Sequence, residues 1–364
     1  MSSRLKRKLI GVLYFTFATA LLGTMYWVLE TGLLGDAEYY PSTGNPYDSL
    51  DSLGGILGGT LTLGAFVGYL EMFLFERLFF RSGFGLKVLA KGLIYVISTI
   101  VNLIVLSWTV ATFKYDKPFY EPQVISDVGD FLYDFVFLSI LIYAGAGLVL
   151  IVFVKEVSNS LGRGTLINFL LGKYHNPRKE ERIFMFVDMK SSTTIAEQLG
   201  HVTYFELLNS CFSDMTDAIL DNHGEVYQYV GDEVILTWPL NRGLKESRYL
   251  KCIFEIKQLF IDRSRDYQEH YQVVPDFKAG IHYGEVTAGE MGVIRKEVMF
   301  SGDVLNTTAR LRDLCKTYET DIIVSEKLLA KTNEPDKYAI TSFGEIEVRG
   351  RQEKIGVSGV SIET

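Results

Sequence analysis

Hydrophobic and polar positions along the 364-residue chain follow two regimes. Up to about residue 154 the apolar residues gather into four long runs, roughly 9–29, 54–75, 88–113 and 131–154. Each is long enough for a helix that crosses a bilayer, which takes about 20 apolar residues. The first run carries no charge, the second holds Glu71 and the fourth Asp134. The third has Lys91 near its start, where a long side chain can snorkel to the interface. From Arg182 onward the runs shorten and alternate between strand and helix periods. Strands are predicted over 183–187, 225–230, 234–238, 277–287, 296–300, 322–324, 338–343, 346–348 and 354–360. Helices are predicted over 194–199, 204–222, 244–269 and 304–314. Gly231-Asp232 between two β-rich runs is a hairpin signal. The β-α-β-β-α-β order, with extensions, predicts a ferredoxin-like α+β sheet with helices on one face.

Between the two regimes, 155–173 reads as a helix leaving the membrane, broken near Gly162 and Gly164, and Pro177 ends it. The chain therefore divides into a four-helix membrane module (1–154), a coupling helix or linker (155–181) and a globular domain (182–364). A coupling helix suits the passage of rotation or spacing between protomers, and a passive spacer fits the same pattern.

Charge sets the orientation. Arg4, Lys6, Arg7 and Lys8 precede the first run, and Glu30, Asp36, Glu38, Asp48 and Asp51 fill the next loop without a basic residue. Arg77, Arg81 and Lys87 follow the second run, acids outnumber lysines over 114–130, and Lys155, Arg163, Lys173, Arg178 and Lys179 follow the fourth. The positive-inside rule then places both termini in the cytoplasm after four crossings of a cell (inner) membrane. The first run is longer than a signal-peptide core and lacks a small-x-small cleavage site, so it reads as a retained span. Glu71 and Asp134 fit either interfacial or bundle-facing polarity, or a ligand or ion contact in a sensory bundle.

Composition agrees with this division. The mean hydropathy of +0.15 averages an apolar half and an ordinary globular half. Aromatic residues at 13% exclude disorder, 33 Gly against 8 Pro excludes a collagen repeat, and 3 Cys exclude a disulfide scaffold. Cys211, Cys252 and Cys315 form no C-x-x-C pair and read as buried thiols in reducing cytoplasm. A net charge of −8 argues against a nucleic-acid partner.

Candidate chemistry lies in three places. Asp188 ends the first strand of the globular domain and Asp232 stands in the hairpin turn. Two carboxylates on adjacent strands suit divalent cations, and Mg²⁺ favours such a sparse oxygen site completed by substrate phosphates. Asn306 and Arg310 are four apart on a helix and share a face. An amide and a guanidinium there can grip a ribose and a phosphate oxygen.

Four blocks carry a family resemblance. They are Phe186-Val187-Asp188-Met189-Lys190-Ser191-Ser192-Thr193, Tyr229-Val230-Gly231-Asp232-Glu233, Gly280-Ile281-His282-Tyr283-Gly284-Glu285-Val286, and 301–311 from Ser301 through Asn306 and Arg310 to Leu311. In this order they resemble the class III nucleotidyl cyclases, over about 182–360. The resemblance implies a head-to-tail homodimer with active sites at the interface. Asp188, Asp232 and the carbonyl of Met189 would bind two Mg²⁺ or Mn²⁺ from one protomer. From the other, Asn306 would orient the ribose and Arg310 would stabilise charge on the α-phosphate. Arg351 sits where the family places a phosphate-binding lysine.

At the two purine-contacting positions stand Gln228 and Met299, which match neither the adenylate-forming nor the guanylate-forming pattern. The glutamine can donate and accept; the methionine offers packing and a weak acceptor. The expected reaction is ATP to 3′,5′-cyclic AMP and pyrophosphate, with the architecture of bacterial-type members favouring ATP. GTP as substrate and a catalytically weak cyclase-like sensor or binding module remain as alternatives. A diguanylate cyclase would need a Gly-Gly-Asp/Glu-Glu-Phe turn, which Val230-Gly231-Asp232-Glu233-Val234 lacks. A transporter is disfavoured by few embedded charges and no visible repeat.

Overall fold

The computed structural model describes residues 3–40, 47–75, 78, 83–161, 171–294, 296–332, 337–347 and 354–362. They fall into two compact units, Met1–Leu161 and Gly162–Thr364. Of the linker expected at 155–181, the helix of the first unit covers the part up to Leu161, and 162–170 lie outside the described residues.

The first unit is helical: α1 (Ser3–Leu34), α2 (Ser49–Tyr69, running on as a π-helix over Leu70–Phe75), α3 (Phe84–Tyr115), α4 (Pro122–Tyr133) and α5 (Phe135–Leu161). Four stretches are long and apolar enough to cross a membrane: Leu5–Leu34, Ser49–Phe75, Gly85–Tyr115 and Phe135–Ser158. The last starts later than the apolar run at 131. Asp134 leaves helical geometry (ψ 150°) and its carboxylate accepts the Val136 N–H at 2.7 Å, so the run is split between α4 and α5. Gly64 and Gly68 bring α1 and α2 together. A Cβ on Gly64 would lie 2.0 Å from Thr19 Oγ1 and 2.7 Å from Thr16 Cα. This is the small-residue spacing by which membrane helices approach closely.

Glu71 sits in the π-helical turn and is 1% exposed. Its Oε1 accepts from Lys91 Nζ at 2.7 Å and Lys155 Nζ at 2.8 Å, and its Oε2 accepts from the Tyr95 hydroxyl. Lys91 also donates to Glu156 Oε1 at 2.6 Å. Bundle-facing polarity is therefore the reading that holds for Glu71. Lys91 does not snorkel: it is 4% exposed and bridges α2 to α5, because two carboxylates offer it more than the interface does.

The second unit is a mixed sheet with helices. Its elements are β1 (Arg178–Met189), α6 (Ser192–Asp221), β2 (Glu225–Val230), β3 (Glu233–Pro239), α7 (Leu240–Leu244), α8 (Arg248–Asp262), α9 (Ser264–Tyr271), β4 (Phe277–Met291), β5 (Glu297–Ser301), α10 (Asp303–Thr317), β6 (Ile322–Ser325), α11 (Glu326–Leu329), β7 (Tyr338–Ile346) and β8 (Ile355–Ile362). The strand order is β2-β3-β1-β4-β6-β8-β7, with β5 beside β4; the β4–β6 pair is parallel and the other pairs antiparallel.

Strand alternation sorts the core. Ile183, Met185, Val187 and Met189 pack with Leu207 of α6 and Ile253 of α8 on one face. Phe184 and Phe186 point the other way, toward Val304 of α10. The helices thus cover both faces, not the single face expected, because α10 carries its own apolar stripe (Val304, Leu311, Cys315) and the sheet's second face is apolar enough to take it.

Other boundaries moved for local reasons. β1 begins at Arg178 because its charged, mostly exposed first residues still pair with β4 through Ala288 and Thr287, which hydropathy does not see. Gly200 (φ 73°) kinks α6 at the gap left between the two helices expected there. The long helix expected over 244–269 is broken at Glu246 and Ser247, both left-handed, and again at Arg263. Of the strand expected at 346–348, Ile346 ends β7, whose register shifts between Ser342 and Gly344 (φ 79°), and 348 lies outside the described residues. Cys211, Cys252 and Cys315 are buried free thiols, as expected.

The Glu71 cluster gives the first testable outcome. Glu71→Leu leaves the Lys91 and Lys155 ammonium groups short of a partner inside the bundle, at a cost of about 3–5 kcal/mol. Thermal unfolding of the full chain in detergent should show a clear loss of stability; an unchanged transition would contradict the assignment.

Candidate active site

Three neighbouring strands build the centre of the site. The β1–β3 register sets Asp188 opposite Glu233, and the β1–β4 register sets it opposite Lys278. Glu233, Asp188 and Lys278 therefore form one row across the sheet, on the face that α10 covers. Lys278 Nζ lies 3.1 Å from Asp188 Oδ2. Asp232 stands in the β2–β3 turn beside Glu233, where Gly231 takes φ 63°, a conformation that favours glycine. The two carboxylates picked from the sequence are thus brought together.

Charge at this row is unbalanced toward the acids. Burial pushes the Asp188 carboxyl above the usual aspartate range and the charge of Asp232 adds to it, while the Lys278 hydrogen bond and the Arg312 guanidinium pull against them. Glu233 is likewise pushed up, first by burial and then by Asp188 and Asp232, against Arg312. A carboxylate pair in this state gains from an added cation.

Met189 buries its side chain in the core (2% exposed), which leaves only its backbone to face a ligand. The following loop is braced by Lys190, which donates to Asp276 Oδ2 at 2.6 Å and to Asp321. Lys257 donates to the same two carboxylates, at 2.9 and 2.6 Å. Although burial acts upward on Asp276, the Lys190 and Lys257 hydrogen bonds outweigh it and hold this carboxyl below its ordinary value.

Asn306 and Arg310 are exposed on α10, and neither side chain is joined by a hydrogen bond or ion pair to another described residue. The buried stripe of the helix is Val304, Thr307, Thr308, Leu311 and Cys315. At about 100° per residue, Asn306 and Arg310 point nearly opposite to it. They lie on the side of α10 turned away from the sheet that carries Asp188, and no hydrogen bond or ion pair joins them to its carboxylates. Gln228 is exposed on the edge strand β2 and Met299 is 41% exposed on β5. Their chain neighbours Tyr227 and Phe300 stack edge to face with centroids 5.1 Å apart, which brings the two positions into one region. Arg351 lies outside the described residues.

The donor set fits a hard divalent cation. Among the described residues no group of three or more His, Cys, Asp or Glu could hold a metal by itself. Asp188 and Asp232 offer oxygen only, and Mg²⁺ is commonly held by one or two carboxylates together with substrate phosphates. Such an ion would share Asp188 with Lys278.

Known proteins resemble this unit. The Adenylate and Guanylate cyclase catalytic domain profile matches residues 175–358. The chain belongs to that family. Adenylate cyclase 2 of Rhizobium meliloti (strain 1021) is 36% identical over 220 residues, 60% of this chain and 61% of the relative. An adenylate cyclase of Anabaena cylindrica is 24% identical, covering 48% of this chain and 35% of the relative. Retinal guanylyl cyclase 2 of Rattus norvegicus is 26% identical, covering 47% and 15%. This cyclase-family chain therefore spans less than two thirds of the length of these curated relatives. In fold it resembles a bacterial light-regulated adenylyl cyclase, with TM-score 0.51, 21% identity, and coverage of 57% of this chain and 60% of that one.

Lys278, Glu233 and Arg312 of the cyclase domain were not singled out from the sequence. Glu233 closes one recognised block and Lys278 lies just before another, but only strand register reveals that they flank Asp188. Arg312 is two residues past Arg310, and nothing in the helix pattern separates it from a solvated face.

A pH dependence follows from the raised Asp188 carboxyl. A divalent cation needs this group ionised, so Mn²⁺ binding, read by electron paramagnetic resonance, should weaken on acidification before an ordinary aspartate would titrate. Lys278→Gln removes a group that lowers the Asp188 value and should move the loss to still higher pH. A shift to lower pH would contradict the charge assignment.

Proposed function

We propose that the chain is a membrane-anchored nucleotidyl cyclase that converts ATP to 3′,5′-cyclic AMP and pyrophosphate at the interface of a homodimer. The observation that carries this is the split of the site: Asp188 and Asp232 sit together on one face of the sheet, while Asn306 and Arg310 point away from it on α10. A second copy turned head to tail supplies what each half lacks. The similarity to an adenylate cyclase at 36% identity supports ATP as the substrate. Both termini lie in the cytoplasm of a cell (inner) membrane, in keeping with the basic flanks of the four apolar helices.

In this reading the ribose 3′-hydroxyl attacks the α-phosphorus, the bond to the β-phosphate bridging oxygen breaks, and the hydroxyl proton passes to solvent. Asp188, Asp232 and the Met189 carbonyl would hold two Mg²⁺ or Mn²⁺, which would supply a lowered pKa for the hydroxyl and positive charge for the attacking and leaving oxygens. Asn306 orients the ribose by hydrogen bonding. Arg310 places a permanent charge against the α-phosphate, where negative charge grows in the transition state. Gln228 and Met299 contact the purine, and Arg351 the phosphates. No covalent nucleophile takes part.

Purified full-length protein with Mn²⁺ should form cyclic AMP from ATP faster than cyclic GMP from GTP. Asp188→Ala or Asp232→Ala should abolish turnover. Arg310→Ala should lower kcat by about 10²–10³-fold with a much smaller effect on nucleotide binding. Cyclic GMP as the main product would overturn the substrate. The absence of either product from an intact dimer would favour a binding module instead.

A further inference from the structure

α10 carries two arginines with different surroundings. Arg310 is exposed, whereas the Arg312 side chain is 21% exposed and lies on the flank toward the sheet. Arg312 Nη1 donates to Glu233 Oε2, and its Nη2 donates to Asp313 Oδ1 at 2.8 Å. Glu233 is 7% exposed, follows Asp232 in the chain and faces Asp188 across the ladder. The base of Arg312 is fixed as well. A Cβ on Gly280 would lie 2.2 Å from the Arg312 nitrogen and 2.8 Å from its Cα, so its backbone rests directly on β4. The side chain is thus held at both ends, beside the row that carries Asp188 and Glu233 and next to the turn that carries Asp232.

We infer that Arg312 is a positioning residue for the metal half of the site. By neutralising Glu233 it keeps the Asp188 and Asp232 carboxylates at a spacing a divalent cation can bridge. Since α10 also bears Asn306 and Arg310, the same helix braces the metal ligands of its own protomer and orients the nucleotide of its partner. Occupation of one site then bears on the geometry of the other. This inference rests on the two-metal, dimeric reading proposed above.

The test measures Mn²⁺ binding to the full chain in detergent by electron paramagnetic resonance, with an ATP analogue lacking the 3′-hydroxyl present so that no turnover occurs. R312M and E233Q should each weaken Mn²⁺ binding by about 10–100-fold, the usual cost of losing a group in the shell around metal ligands. R312M/E233Q replaces the ion pair by two neutral groups and keeps the fold. It should bind no worse than the weaker single variant, because the pair acts as a unit. R312K should recover part of the affinity. D188A should bind no Mn²⁺ at this site. If R312M, E233Q and the double variant match the unaltered protein while D188A loses Mn²⁺, the inference is overturned and the metal reading stands. Losses that simply add in the double variant also overturn it. If D188A keeps Mn²⁺, the metal reading itself falls and takes the inference with it.

Discussion

The backbone of α10 rests on β4 at Gly280, in a contact too close for any side chain there. Much of the site depends on this approach. It seats the Val304–Cys315 stripe on the second face of the sheet. It brings Arg312 within reach of Glu233 and near Asp188. By the geometry of the helix, it also turns Asn306 and Arg310 outward. A helix standing a few ångströms further off would leave a buried row of carboxylates with only Lys278 to balance it. Inserting bulk into such a packed contact typically costs about 1–3 kcal/mol and moves the backbone, so the site and the fold share one constraint.

The membrane unit uses related means in a different medium. Helices in lipid gain little from apolar contact with one another, so close approach and polar pairing carry their association. Gly64 and Gly68 supply the approach between α1 and α2, and the Glu71, Lys91, Lys155 and Glu156 groups supply the pairing among α2, α3 and α5. Two acids and two bases leave the cluster neutral, which suits a region where an unpaired charge is costly. Its π-helical turn gives Glu71 room to meet two ammonium groups and a tyrosine at once.

Residue pattern made much of this legible. The four apolar runs, the order of strands and helices in the second unit, the Gly-Asp hairpin and the Asn306/Arg310 face all follow from periodicity and turn chemistry. What stayed hidden depends on tertiary pairing. Lys91 looked like a snorkelling residue because its partners, Glu71 and Glu156, lie 20 and 65 positions away. The exposed, charged start of β1 looked like linker because ladder hydrogen bonds leave no hydropathy trace. Arg312 goes unremarked in the sequence because its partner is set by strand register and by a glycine on a third element. The placement of α10 on the opposite face needed the parity of β1 and β6 read against each other, which no single segment displays.

The central claim is that one chain holds two halves of different sites. Mixing Asp188→Ala with Arg310→Ala tests it most directly. Each variant alone should be inactive or nearly so, yet a mixed dimer contains one interface with Asp188 from one protomer and Arg310 from the other. Cyclic AMP formation should therefore reappear when the two purified variants are dissociated, mixed and allowed to reassociate. Mixtures that form mixed dimers and stay as inactive as either variant alone would contradict the account.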